Sequence, residues 1–368
     1  MPARDQALPG HRLHGHVEDV LLLETLPGVV DVLVEELRQL DGARTTILRR
    51  WPSAVLVEYS GPIGTLAGIP LFSACSVWTG VEVTADDVAT PVAEVVRRVA
   101  GESAYRPGSG DHAVPFRVGE VGEARWAIRD ALLAHGLVNS PGSWDLNVDV
   151  FDRVLVVTIG ALHTTRRAGA LERIPASTNP VLAAALARLA KVKAGDVVLD
   201  PFCGAGTNLL AAAGRGGAMT LIGLDLKLRA VEACRANLEA RSVRATIAQS
   251  TAVRLPLADL SVDRVVSNLP FGKRVGTHGI NERLYPAVLR ELARVLRSSG
   301  RAVLLTEDKR LFVDSVQRTH GLKIVRESVF ETGGLHPSAY VVERSRKVRP
   351  RARLTGSMPA AASPPRRR

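Results

Sequence analysis

Cysteine is scarce in this chain. Its 368 residues include three, Cys75, Cys203 and Cys234, far apart and with no CxxC pair. That excludes a disulfide scaffold, argues against a structural zinc site and fits a reducing cytosol. Aromatic residues make up only 4%, which disfavours a single-strand binder that stacks bases on rows of exposed rings. No apolar run approaches the roughly 18 residues of a membrane span, so none is expected. The N-terminus lacks the charged and apolar regions of a secretory signal. His163, His278, His320 and His336 are scattered without ligand spacing, so no metal site is expected. The expectation is a cytoplasmic, monomeric protein with no membrane partner.

What is present is basic charge. Lys and Arg number 48 against 37 Asp and Glu, a net charge of +11 and a pI near 10.2. The excess is uneven. Residues 1–170 are net −6, residues 171–343 net +8 and residues 344–368 net +9. A nucleic-acid partner therefore fits the second half and the tail rather than the first half. Hydrophobic residues at 46% supply ample core material, and the length suggests two or more domains.

The first 75 residues read as small α/β units. His16–Glu24 is rich in Val and Leu, Pro27-Gly28 breaks it, and Val30, Leu33, Val34, Leu37 and Leu40 recur at helical spacing. Ala54–Glu58 follows as a short strand, after the Asp41-Gly42 turn. From about 80 to 165, Pro91–Val99 and Glu123–His135 read as helices and Pro115–Val118 as a strand. Leu146, Val148 and Val150 alternate with Asp145, Asn147 and Asp149, then turn at Asp152-Arg153 into Val154–Ile159. That is a β-hairpin with one wet face. From 177 to 343, strand and helix alternate. Strands are predicted at 196–200, 220–225, 264–268, 301–306 and 339–343, with helices led by Leu182/Leu186/Leu189, Leu228/Val231/Cys234/Leu238 and Leu284/Val288/Leu292/Val295. This alternation predicts a doubly wound α/β sheet. Residues 344–368, Arg- and Pro-rich without periodicity, read as a disordered tail.

Asp196-Val-Val-Leu-Asp200 runs into Pro201-Phe-Cys-Gly-Ala-Gly-Thr207 and then the helical Asn208-Leu-Leu-Ala. Gly204 and Gly206 let backbone approach a ligand, and the helix start offers unpaired N–H groups. Ile222-Gly-Leu-Asp225 ends 19 positions after Gly206, where a carboxylate can accept ribose hydroxyls. The dinucleotide fingerprint would need a third glycine where Leu209 stands, and the P-loop Lys-Ser/Thr pair is missing.

Asp200–Thr207 resembles the first motif of S-adenosylmethionine-dependent RNA methyltransferases. Ser267-Asn-Leu-Pro-Phe-Gly-Lys-Arg274 resembles their Asn/Asp-x-Pro-aromatic motif. Its Leu269, Gly272 and basic residues resemble the THUMP-containing guanine-N2 tRNA methyltransferases, as do Tyr285 in its helix, Gly300–Leu305 and Gly334-Leu-His-Pro337. The resemblance implies a Rossmann-like seven-stranded methyltransferase sheet at 171–343. Ahead of it would lie a smaller α+β region: a ferredoxin-like segment (1–75) and a THUMP-like RNA-binding domain (76–170).

The resemblance implies S-adenosylmethionine as cofactor, held by Asp200, Pro201, Phe202, Cys203, Gly204, Ala205, Gly206, Thr207, Asn208, Asp225, Leu226, Ser250 and Thr251. Ser250 stands where the family often has an Asp on the adenine. Cys203 reads as a small filler of the cofactor turn.

An exocyclic amine is a poor nucleophile because its lone pair is delocalised into the ring. An Asn oxygen and a backbone carbonyl can accept its two hydrogens. Asn268, with the Leu269 carbonyl held by Pro270, supplies both, and Phe271 can stack on a flipped base. No cysteine lies near 268 for cytosine-C5 chemistry. Lys273 and Arg274 border the loop and are expected to contact RNA phosphates, with Arg166 and Arg167 as a second basic patch. Arg283, Arg290, Arg294, Lys309 and Arg310 are further phosphate candidates. The implied substrate is tRNA, with rRNA guanine-N2, adenine-N6 and small-molecule methylation as alternatives.

Overall fold

A computed structural model describes residues 13, 15–105, 113–167, 171–172, 174–175, 177–271 and 278–345. Among them, two sheets carry the chain. The first half contributes β1 (His16–Glu24), β2 (Arg44–Trp51), β3 (Ala54–Pro62), β4 (Ala74–Glu82), β5 (Pro115–Val118), β6 (Val138–Asn139), β7 (Leu146–Phe151) and β8 (Val154–Ile159). They form one eight-stranded sheet in the order β2-β3-β1-β4-β8-β7-β5-β6. The division expected at 75/76 falls inside β4, which pairs with β1 on one side and β8 on the other. The two expected N-terminal pieces therefore share a continuous ladder.

The hairpin at 146–159 forms as read, with Asp152 and Arg153 both at positive φ in its turn. Its polar face is drier than expected. β7 is an interior strand, and Asn147 is buried, accepting from Arg117 Nε at 3.0 Å.

The second half contributes β9 (Val197–Asp200), β10 (Thr220–Asp225), β11 (Thr246–Gln249), β12 (Val262–Asn268), β13 (Leu296–Thr306), β14 (Leu322–Val329) and β15 (Ser338–Arg344). Their order is β11-β10-β9-β12-β13-β15-β14, parallel except for β15, which runs antiparallel to both neighbours. From β9 the chain winds outward through β10 to β11. It then returns to β12 and winds the other way through β13. The reversal lies between β9 and β12, whose C-terminal ends open a crevice. The expected doubly wound sheet is thus present. Its last strand extends to Arg344, and the remainder of the basic tail, from 346, lies outside the described residues.

Helix 180–189 (Pro180–Leu189) starts as its sequence dictates. The Asn179 side chain accepts from the Val181 N–H at 2.9 Å, and Pro180 fills the first turn, where no N–H is needed. Seven of its residues are Ala or Leu, and it lies almost wholly in a core that spans both halves of the chain.

Glu36, on the N-terminal helix Val30–Leu37, pairs there with Arg188 and, at 2.7 Å, with Arg215. Glu331 N–H donates to the Pro27 carbonyl at 3.1 Å. Next to it Gly28 adopts φ +88, and a Cβ there would lie 2.1 Å from the Val329 carbonyl oxygen. Gly28→Ala is therefore expected to destabilise the fold by about 2 kcal/mol or more, from strained backbone plus a clash with backbone. Thermal unfolding checks it; an unchanged melting temperature would show that the two sheets are not seated on each other here. Among the described residues no helix is long and apolar enough to cross a membrane.

Candidate active site

The crevice is built around Asp200, the last residue of β9. It is fully buried, so its carboxylate needs internal donors. Ser267 Oγ donates to Oδ1 at 2.6 Å across the reversal point, the Phe202 N–H donates to the same oxygen at 3.1 Å, and Asn208 Nδ2 donates to Oδ2 at 2.9 Å. Burial nevertheless dominates and pushes its pKa up to about 6. Asp200 thus fastens the turn to the strand ends rather than facing the cleft.

A raised carboxyl pKa has a definite sign. The folded protein keeps this proton up to about pH 6 whereas the unfolded chain releases it near 3.8, so the associated stability is complete below 3.8 and is lost as pH rises through 6. Between pH 4.5 and 6.5 the wild type should lose about 2 kcal/mol more than Asp200→Asn does. Urea unfolding at the two pH values measures this. Parallel pH dependences would show that Asp200 titrates as an ordinary carboxylate. The absolute offset depends on how Asn repairs the three hydrogen bonds; the difference in slope does not.

The turn Pro201–Gly206 crosses the sheet edge and starts the helix Thr207–Ala213. Gly206 sits at φ +85, and a Cβ there would come 2.8 Å from Cys234 Sγ. Asp225, at the end of β10, ties the turn from the other side: the Gly204 N–H donates to its Oδ2 at 3.0 Å and the Lys227 N–H to its Oδ1 at 2.9 Å. Leu226 projects beside it, 69% exposed, and the Ser250 N–H donates to the Asp225 carbonyl at 2.9 Å. The ends of β9, β10 and β11 thereby gather Asp200, Gly204, Asp225, Leu226 and Ser250 along one edge. Thr251, next in the chain, caps a local turn through the Val253 N–H.

The cleft is lined by Phe202, Cys203, Gly204, Ala205, Thr207 and Asn208 from the turn, by Asn268 from β12, and by Ile174, Pro175, Ser177 and Thr178 from the segment before helix 180–189. That last group was not anticipated. The sequence signal there is the polar run Ser177-Thr178-Asn179 ahead of Pro180. Ser177 and Ile174 close a small turn, and Thr178 Oγ1 accepts from Asn268 Nδ2 at 3.2 Å. Asn237, also unanticipated, bonds both Glu172 and the Ala205 carbonyl, joining this segment to the turn.

Two amide oxygens stand out. Among the described residues, Asn268 Oδ1 and Asn208 Oδ1 are buried without a partner, and both residues line the cleft. Buried acceptors are normally satisfied, so each is suited to accept a donor from a ligand in the cleft. Asn268 is set by its own register: it pairs with Leu305 of β13, and the Leu269 N–H donates to the Leu305 carbonyl at 2.9 Å. Pro270 and Phe271 follow, half-buried. Lys273 and Arg274 lie outside the described residues.

Of the basic patch expected at Arg166 and Arg167, the structure places Arg167 in the interior. Arg167 is buried over the Phe72 ring, donates to the Ile69 carbonyl, and has its pKa lowered to about 10 by burial. Arg166 pairs with Asp145 and the Trp144 carbonyl and lies over the Trp144 ring. Arg166 is committed within the 144–167 segment, and Arg167 ties that segment to the Ile69–Phe72 stretch. Arg294 is likewise occupied by Glu291, Asp259 and the Leu255 and Leu257 carbonyls.

Residues 171–338 match the UPF0020 family, the RMKL-like methyltransferase domain. The tRNA (guanine(6)-N(2))-methyltransferase THUMP3 of Mus musculus is 34% identical over 186 residues, covering 46% of this chain and 37% of that protein. The tRNA (guanine(6)-N2)-methyltransferase of Thermus thermophilus is 36% identical over 171 residues, covering 46% of this chain and 50% of that protein. The chain thus matches half or less of the length of these relatives. The crystal structure of TrmN from Thermus thermophilus superposes with a TM-score of 0.67 at 26% identity, over 89% of this chain and 99% of that one.

Proposed function

We propose that the chain is an S-adenosylmethionine-dependent RNA methyltransferase acting on the exocyclic N2 of guanosine in tRNA, on the premise of the match of residues 171–338 to the RMKL-like methyltransferase domain. The observation that carries this reading is the buried Oδ1 of Asn268, without a partner among the described residues, at the crevice beside the cofactor-type turn. The relatives named as guanine-N2 methyltransferases of tRNA support the base and the RNA class. The likeness to TrmN extends over both halves, which supports an N-terminal half that grips RNA.

The residues fit the cofactor. Gly204–Thr207 bring backbone and a helix start to the cleft floor. Asp225 has carboxylate lone pairs beyond the two amides it already serves, suited to ribose hydroxyls. Asn208 adds a buried acceptor without a partner among the described residues. When bound, S-adenosylmethionine supplies an electrophilic methyl group.

The chain's own residues prepare the nitrogen. Asn268 Oδ1 and the Leu269 carbonyl accept the two amine hydrogens, which turns the lone pair out of conjugation and towards the methyl donor. Thr178 holds the Asn268 amide from behind. Phe271 stacks on the flipped base. Positioning then supplies most of the rate.

Nucleoside mass spectrometry of tRNA and rRNA from a deletion strain tests the proposal. Loss of N2-methylguanosine from tRNA is expected; a full complement there, with another nucleoside missing, would overturn it.

A further inference from the structure

The Asn268–Phe271 loop is pinned at two points. One is the Leu269 N–H on Leu305. The other is Tyr285, seven residues into the helix His278–Val295. Its hydroxyl lies 2.8 Å from the Pro270 carbonyl and 2.8 Å from Thr306 Oγ1, the last side chain of β13. The Asp308 N–H reaches the same Thr306 oxygen at 3.0 Å.

The direction of these bonds is fixed by their ends. A carbonyl can only accept, so Tyr285 donates to Pro270. A backbone N–H can only donate, so Thr306 accepts from Asp308. Thr306 therefore donates its hydroxyl hydrogen to the Tyr285 oxygen. The result is a one-way chain, Asp308 to Thr306 to Tyr285 to Pro270, in which each bond polarises the next. Tyr285 is 1% exposed, and its ring is held edge-on to Phe312, which stacks on Tyr340. The packing fixes the ring, and the ring fixes the hydroxyl. Burial pushes the phenol pKa up, so it stays a donor throughout the neutral range.

We infer that Tyr285 and Thr306 are positioning residues for methyl transfer: their hydroxyl chain clamps the Pro270 carbonyl, and so sets the Leu269 carbonyl that lies between the two pins. This rests on the function proposed above. It assigns Tyr285 a task beyond core packing. The core contact needs the ring alone, whereas the hydroxyl reaches out of the core to the loop that meets the base.

Tyr285→Phe and Thr306→Val each delete one link and leave the packing in place. Each is expected to lower kcat about tenfold, with KM for RNA and the Kd for S-adenosylmethionine within about twofold of wild type. Because one link broken breaks the chain, the double variant should be no slower than either single one. Thr306→Ser, which keeps the hydroxyl, should recover most of what Thr306→Val loses.

A purely structural role would lower the melting temperature and leave kcat alone. That outcome, or strictly multiplicative losses in the double variant, overturns the inference while the functional reading stands. A wild-type protein that transfers no methyl group to RNA removes both.

Discussion

Asn268→Ala should reduce methyl transfer by on the order of a thousandfold, about 4 kcal/mol of barrier, while RNA binding stays within a few-fold. Asn268 carries a buried oxygen that no group among the described residues satisfies, and its nitrogen is committed to Thr178. Its position is dictated by the β12–β13 register, so alanine leaves the backbone where it is and removes the acceptor together with the bond to Thr178. The loss should therefore appear in kcat and not in KM or in thermal stability. Single-turnover transfer of labelled methyl groups, with RNA binding measured separately, distinguishes these. Retained activity would mean that the amine hydrogens are accepted elsewhere.

Asp225→Ala should weaken S-adenosylmethionine binding by on the order of fiftyfold, about 2 kcal/mol, read by calorimetry. Two effects combine. Ribose hydroxyls lose their acceptor, and the Gly204 and Lys227 amides lose the carboxylate that holds the turn in shape. Asp225→Asn separates them. It keeps one carbonyl oxygen for an amide but gives up the charge, so its affinity should fall between the other two. An affinity unchanged in the alanine variant would take Asp225 out of the cofactor site.

The parts of the fold legible from sequence were those whose burial writes itself into the residues. Val197–Asp200, Thr220–Asp225 and the core of β12 are runs of Val, Leu and Ile ending in polar residues, as expected for parallel strands covered on both faces. The strands that escaped notice include the edges. β2 is Arg-Thr-Thr-Ile-Leu-Arg-Arg-Trp, mostly exposed; β14 carries Lys323, Arg326 and Glu327; β6 and β11 are two and four residues long. Edge strands need little apolar surface and are kept charged or short, so their sequences look like loops.

The site followed the same division. Contiguous motifs revealed the turn and the Asn268 loop. Partners brought in from afar did not announce themselves: Thr178 on Asn268, Ser267 on Asp200, Asn237 on Ala205. A hydrogen bond across 90 residues leaves no periodic trace. The arginines misled for a related reason. Charge in a sequence does not say whether a guanidinium faces water or, like Arg167, spans a core ring and a carbonyl.

The most direct test of the central claim is to incubate the purified full chain with unmodified tRNA transcripts and S-adenosylmethionine, then digest the RNA to nucleosides and identify the methylated product by mass. N2-methylguanosine, absent when Asn268→Ala replaces the wild type, is the result expected. N6-methyladenosine, or methyl transfer that persists undiminished in the variant, would contradict the assignment of Asn268 and its loop as a guanine-N2 site.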